Sequence, residues 1–336
     1  MPTRRGVAVI AALTAAALGM SACSSSKSSS GGSKKVAIVG YSVPKGAYDA
    51  LETAFQSTGA GKGVSFSESF GPSGTQSKAV ASGQPADLVN FSLSPDMTKL
   101  VPTFVASGWD GGATKGMVTD SIVVIVVRKG NPKHITGWDD LIKPGIKIVT
   151  PDPASSGSAK WNILAAYEHV IANGGTDAQA QAYLKSFFGN VVAKPSSGSA
   201  ATQTFTSGTG DALISYESEA IGTKQKGGAV DYIVPNESVL IENPAAVTVK
   251  AGQAAKDFLA YLLSPAGQQI FASKGFRPVV AGVTVASVKG ANDPANPFPT
   301  PAKLTTIEQL GGWSAVNAKF FDPKTGIVTK VESGNG

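Results

Sequence analysis

The chain of 336 residues is 42% hydrophobic and only 15% charged, against a typical ~25%, which excludes a disordered protein and leaves room for two modest domains. Its single cysteine, Cys23, and two distant histidines, His134 and His169, exclude an internal disulfide, a multi-cysteine zinc site and a histidine-rich metal site. Of the formal charge of +6, residues 1–35 carry +5 and the rest +1, so the body lacks the basic field of a nucleic-acid binder.

The first 22 residues read as a signal peptide: Arg4 and Arg5 precede an apolar run at 7–18 that is too short to span a bilayer. The run ends in Met20-Ser21-Ala22-Cys23, which resembles a bacterial lipobox with Met20 where Leu is usual, so Cys23 is expected to become a lipidated N-terminus. Residues 24–35, rich in Ser, Gly and Lys, have almost nothing to bury and read as a flexible tether. The folded part is therefore expected on the outer face of the cytoplasmic membrane.

From residue 36 short β-branched runs alternate with helical patterns, the signature of βαβ units and a mainly parallel sheet. Strands are expected at 36–41, 64–70 and 86–91, with helices at 46–56, 74–82 and 95–105. The run at 121–128, SIVVIVVR, reads as a strand crossing to a second block. There, strands at 147–150, 191–193 and 212–216 alternate with a long helix after Gly157 and another at 177–188. In the long helix Ile163, Ala166, Tyr167, Val170 and Ile171 recur at helical spacing, so one face packs inward, and His169 reads as a packed or surface residue. The chain returns at 245–250, forms helices at 253–263 and 265–274, and ends in a Pro-rich connection and a last helical stretch. A middle block inserted between two outer ones predicts two α/β lobes, the first from 36–120 with 241–336 and its C-terminal helical extension, the second from 121–240. The strand ends of both would face a cleft, the usual ligand position in open α/β sheets, with closure as a hinge movement.

Four strand-to-helix turns are built of small polar residues: Tyr41-Ser42, Gly71-Pro72-Ser73-Gly74, Ser155-Ser156-Gly157-Ser158 and Ser197-Gly198-Ser199-Ala200. The first amides of a helix have no intrahelical acceptor and sit at the positive end of its dipole, so such turns bind an anion without a cation. Gly lets a ligand approach the backbone, and a Ser hydroxyl adds a donor. A pocket of donors suits a fully ionised anion such as sulfate, whereas phosphate keeps a proton and is better served by an acceptor.

Residues 129–145, with Pro144-Gly145, and the run Pro151-Asp152-Pro153-Ala154-Ser155-Ser156-Gly157-Ser158-Ala159-Lys160-Trp161-Asn162 resemble the sulfate-binding proteins of bacterial ABC importers. The resemblance continues through 210–220, 235–240, 264–268 and 276–278 and spans nearly all of residues 36–313. It implies a two-lobed type II periplasmic-binding fold that encloses sulfate with backbone amides and a few side-chain donors. Carried onto this sequence, the contacts fall at Ser42, Ser73, Ser156, Gly157, Ser158 and Gly198. Tyr216 stands where the family has a Trp that donates its indole N–H to the anion. Ser42 replaces an acidic residue, Ser158 a Gly, and Ser199 stands where an Arg is frequent, so thiosulfate is a second candidate ligand. The resemblance also implies a permease and an ATPase as partners and a monomeric carrier that uses no cofactor.

Other oxyanions, molybdate and phosphate among them, remain open. A Ser hydrolase built on Ser156 lacks a G-x-S-x-G elbow and a histidine base nearby, and Lys160 reads as a solvated side chain. A surface lipoprotein without a small ligand would not need donor-rich turns around a cleft.

Overall fold

The computed structural model describes residues 34–333; the leader, Cys23 and most of the tether lie outside them. The chain opens with β1 (Lys34–Tyr41), α1 (Lys45–Gln56), β2 (Val64–Gly71), α2 (Ser73–Ala81), β3 (Leu88–Asn90) and α3 (Ser94–Thr98). β1 pairs in parallel with both β2 and β3, so the first three turns leave the same edge of the sheet. Val36 and Ile38 bury their side chains against Leu51 and Phe55 of α1, each large side chain contributing ~1.5–3 kcal/mol. The helix expected at 95–105 ends after Thr98 and continues as turns. Pro102 has no N–H and pushes Val101 away from helical backbone angles, a local reason for the early stop.

β4 (Met117–Arg128) is buried along almost its whole length. Ile122, Val124 and Val126 join one hydrophobic cluster while Val123, Ile125 and Val127 join another, so the strand is covered on both faces. After it come α4 (Trp138–Leu141), β5 (Ile148–Val149), α5 (Gly157–Ala172), α6 (Asp177–Gly189), β6 (Val191–Ala193), α7 (Gly198–Thr206), β7 (Ala212–Tyr216), α8 (Glu217–Gln225) and β8 (Val230–Ile233). α6 starts with a capping box in which Thr176 and Gln179 satisfy each other's backbone amides. The return path is β9 (Glu237–Val247), α9 (Gln253–Leu262), α10 (Pro265–Ser273), β10 (Lys303–Thr305), α11 (Gly312–Phe320) and α12 (Ile327–Glu332).

The sheet is mixed rather than mainly parallel, with strand order β2-β1-β3-β9-β4-β7-β5-β6. The antiparallel pairs involve the crossing strands. The first half of β4 pairs with β9, and its second half lies between β7 and β8. β9 in turn runs from β10 past β4 to β3. Pro244 of β9 faces Met117 where the register shifts, a place where a missing N–H is tolerated.

The C-terminal helices pack on the middle block: Val316, Phe320, Ile327 and Val328 share a hydrophobic cluster with Trp161, Tyr167 and Leu184. Trp313 meets Trp161 edge to face, with ring centroids 4.9 Å apart. Among the described residues no helix is long and apolar enough to cross a membrane.

Candidate ligand-binding site

Ser42 follows β1, Ser73 opens α2 after β2, the Ser156-Gly157-Ser158 run opens α5, Gly198 opens α7, and Tyr216 ends β7. The structure brings all of these turns together at the C-terminal ends of parallel strands. A Cβ added to Gly157 would lie 2.6 Å from Ser92 Oγ, and one added to Gly198 would lie 2.9 Å from Ser158 Oγ and 3.1 Å from Val43 Cγ2. A Cβ on Gly74 would sit 3.3 Å from the Ser155 carbonyl oxygen. The Ser199 amide donates to Ser42 Oγ at 3.4 Å. Ser73, Ser156, Ser158, Gly157, Gly198 and Tyr216 are all buried.

The helices that open at Ser73 and Gly157, like α1 and α8, start without a side-chain cap. Neither Pro72, before α2, nor Ser156, which enters α5 in extended conformation, makes a capping bond. The first-turn amides of both helices are therefore left to other acceptors. α7 differs, because Ser197 accepts from the Ala200 amide. The Ser73 hydroxyl donates to Asp96 Oδ2 at 2.7 Å and accepts from the Ser92 amide at 3.0 Å, so what this turn has to offer is its backbone.

Several residues at the centre are not legible as site residues in the sequence. Ser92 sits after β3 in the run Phe91-Ser92-Leu93-Ser94-Pro95, a fifth strand-to-helix turn whose signal is a serine without a glycine. Its hydroxyl lies 2.7 Å from the Tyr216 hydroxyl, and its carbonyl accepts from Trp161 Nε1 at 2.9 Å and Asn243 Nδ2 at 3.1 Å. Tyr41 donates to Asn243 Oδ1 at 2.8 Å. Burial pushes the Tyr216 phenol well above its usual range, and hydrogen bonds with Ser92, Ser158 and Asn243 moderate the shift. Asp96, buried below Ser73, forms a 2.8 Å ion pair with Lys99.

Ser42 and Ser199 line a cleft of about 1010 Å³ together with Lys45, Glu68, Phe276, Thr202, Glu219 and Lys226. Burial raises the Glu219 carboxyl above its ordinary range, while the hydroxyls of Thr202 and Ser199 and the charge of Lys226 hold it back. Lys160 is half-buried rather than solvated, bonded to Asn317 at 3.2 Å and lying over the Phe321 ring. His169 is bonded to Glu237 and Asp139 and stacks on Trp138, far in role from a catalytic base beside Ser156. Among the described residues no group of three His, Cys, Asp or Glu side chains is placed to hold a metal ion.

Residues 36–277 match the family model of the bacterial extracellular solute-binding proteins. The chain belongs to that family. Among its solute-binding relatives, the sulfate-binding protein of Synechococcus elongatus is 37% identical over 338 residues, covering 95% of this chain and 94% of that one. The thiosulfate-binding protein of Pseudomonas aeruginosa is 30% identical over 298 residues, covering 84% and 88%. The solved structure of the sulfate-binding protein SubI from Mycobacterium tuberculosis shares the fold with a TM-score of 0.80 at 43% identity, covering 86% of this chain and 100% of that one. An extracellular solute-binding protein binds its ligand and does not transform it.

Proposed function

We propose that this protein captures sulfate outside the cytoplasmic membrane and hands it to the permease and ATPase of an ABC importer. The observation that carries the reading is the gathering of the Ser42, Ser73, Ser156–Ser158 and Gly198 turns into one buried place, with α2 and α5 starting there uncapped. A dianion taken out of water is costly unless it is fully hydrogen-bonded. Here the compensation comes from peptide N–H groups at Ser42, Ser73, Gly157, Ser158 and Gly198, the Ser156 hydroxyl and the Tyr216 phenol, aided by helix dipoles rather than by a cation. The strands on either side of the β4–β9 ribbon form two lobes, and hinge closure around the ribbon traps the anion. Cys23 carries the lipid that holds the monomeric carrier near its permease.

Support for sulfate comes from the names borne by the Synechococcus and Mycobacterium relatives. Thiosulfate is a second reading, favoured by the relative from Pseudomonas. Titration calorimetry of the tether-free protein with sulfate, thiosulfate, molybdate and phosphate at matched ionic strength ranks the ligands. Sulfate is expected to bind most tightly; absence of heat with sulfate at millimolar concentration overturns the proposal.

A further inference from the structure

Lys34 and Lys35 open β1, level with Val64 and Ser65 of β2, and Lys62 stands in the turn just before β2. α2 returns from the turn at Ser73 to this same edge of the sheet and brings Lys78 in its last turn. β9 runs antiparallel to β3 with Val247 opposite Leu88, so its continuation carries Val249 and Lys250 to that edge as well. All five lysines are exposed, and Val249, at 53%, is one of two large apolar side chains left exposed among the described residues. We propose that this edge, at the end of the strands opposite the Ser42 and Ser73 turns, is a docking surface for an anionic lipid bilayer, on which the carrier rests with its candidate ligand turns facing outward. The inference rests on the proposed placement of the chain outside the cytoplasmic membrane and goes beyond the capture of an anion.

Charge complementarity names the occupant. Residues 36–336 carry a net charge of only +1, so the body as a whole has little attraction to a charged surface, yet five ammonium groups gather at one edge. The acids on the same elements leave that edge positive. Asp87 is committed to the Ala37 amide at 2.8 Å, and Asp257, beside Lys256, accepts from Gln253 at 2.8 Å. Glu68 stands level with Ile38, further up the sheet, and pairs with Lys45 at 2.7 Å. A cluster of about this many lysines is what an anionic lipid surface attracts, each group near the headgroups adding to the affinity. The Val249 side chain gains by leaving water for the interface, and the lysine stems lie along it while their charged tips stay hydrated. The chain itself leads there, because Cys23, the proposed lipid attachment point, lies eleven residues before Lys34, a reach of at most ~40 Å when fully extended.

The test is sedimentation of the chain from residue 24 onward, without an acyl group, with vesicles of phosphatidylcholine alone or mixed with phosphatidylglycerol. Binding is expected to the mixed vesicles only, and is expected to vanish at high salt, where the reach of surface charges shrinks. Lys62→Glu combined with Lys250→Glu should lower the partition coefficient by about tenfold or more. Lys62→Gln with Lys250→Gln, a milder change, should lower it in the same direction, and Val249→Ser by about twofold or more. The control is Lys324→Glu with Lys330→Glu, an equal change of net charge at two exposed positions before and within α12, expected to keep binding within about twofold of wild type. Melting temperatures near that of wild type show that the variants are folded. Equal binding to both kinds of vesicle, no binding to the mixed ones, unchanged binding in the Lys62 and Lys250 variants, or a loss as large in the control overturns the inference. Neither a lipid anchor nor sulfate enters the assay, so its failure leaves the capture of sulfate and the lipid at Cys23 standing, and a failure of sulfate to bind leaves this test intact.

Discussion

Ser156 and Gly157 are neighbours with opposite kinds of importance. Ser156→Ala removes one hydroxyl from a buried turn that needs no side chain to begin its helix. It is expected to weaken sulfate binding by ~1.5–3 kcal/mol with little change in melting temperature. Gly157→Ala instead drives a methyl group to within 2.8 Å of Ser92 Oγ, Ser92 Cβ and Leu93 Cγ. It should lower stability by ~1–3 kcal/mol and abolish tight binding as α5 is pushed away from Ser92. Calorimetry paired with thermal melting separates the two; equal effects of both substitutions on both readouts would contradict the assignment. The serines and glycines of four turns were readable from their place between strand and helix patterns. Asn243 was not, since it joins Ser92 across 151 positions of chain and nothing in its strand sets it apart from the neighbouring polar residues Glu237, Ser238 and Glu242. Asp96 was hidden for a similar reason, because nothing local marks its bond to Ser73.

Among the elements, β4 and β9 carry a charge problem. Asp120 and Glu242 stand directly opposite each other in the ladder, and Asp120 Oδ1 is buried without a hydrogen-bond partner. Arg277, which bonds its backbone to that of Asp120, commits its guanidinium to Glu217 at 2.7 Å. Burial first and then the Glu242 charge push Asp120 up to about 7, with Arg277 opposing. A carboxyl raised in the folded state binds its proton more tightly there than in the unfolded chain. Its stabilising contribution is complete below about pH 4 and is lost as pH rises through about 7. Asp120→Asn is therefore expected to flatten the decline of melting temperature between those limits, and an unchanged slope would exclude Asp120 as its source. The remainder of the slope has a source in Glu217, raised to about 7 by its burial. The sequence pattern revealed β4 by its unbroken apolar run, but β9 was reduced to its end. The expected strand at 245–250 starts just after Pro244, and the register shift opposite Met117 is where the observed strand accommodates that proline. The parallel expectation failed at these same strands, whose antiparallel pairing depends on where the chain returns and leaves no local trace.

At the scale of the whole molecule, a ligand that binds the folded state and not the unfolded chain stabilises the fold by mass action. Sulfate at a hundred times its dissociation constant should add ~2.7 kcal/mol, read as a rise in melting temperature absent with sodium chloride at equal ionic strength. No sulfate-specific rise would contradict capture by the folded state. The alternation of strands and helices was visible in the sequence, whereas the docking of α11 and α12 against α5 and α6 was not, because their apolar residues do not name the surface they cover.

That docking sets two indoles in line behind the candidate anion-binding turns. Trp313 presses on Trp161, and Trp161 is hydrogen-bonded to the carbonyl of Ser92. The protein thus carries a built-in fluorophore wired to the floor of the proposed site, and ligand occupancy there is expected to be readable as a change in tryptophan emission without any attached dye. The same wiring makes the chain's tail a poor place for truncation, because removing Trp313 loosens the wall on which Ser92 leans.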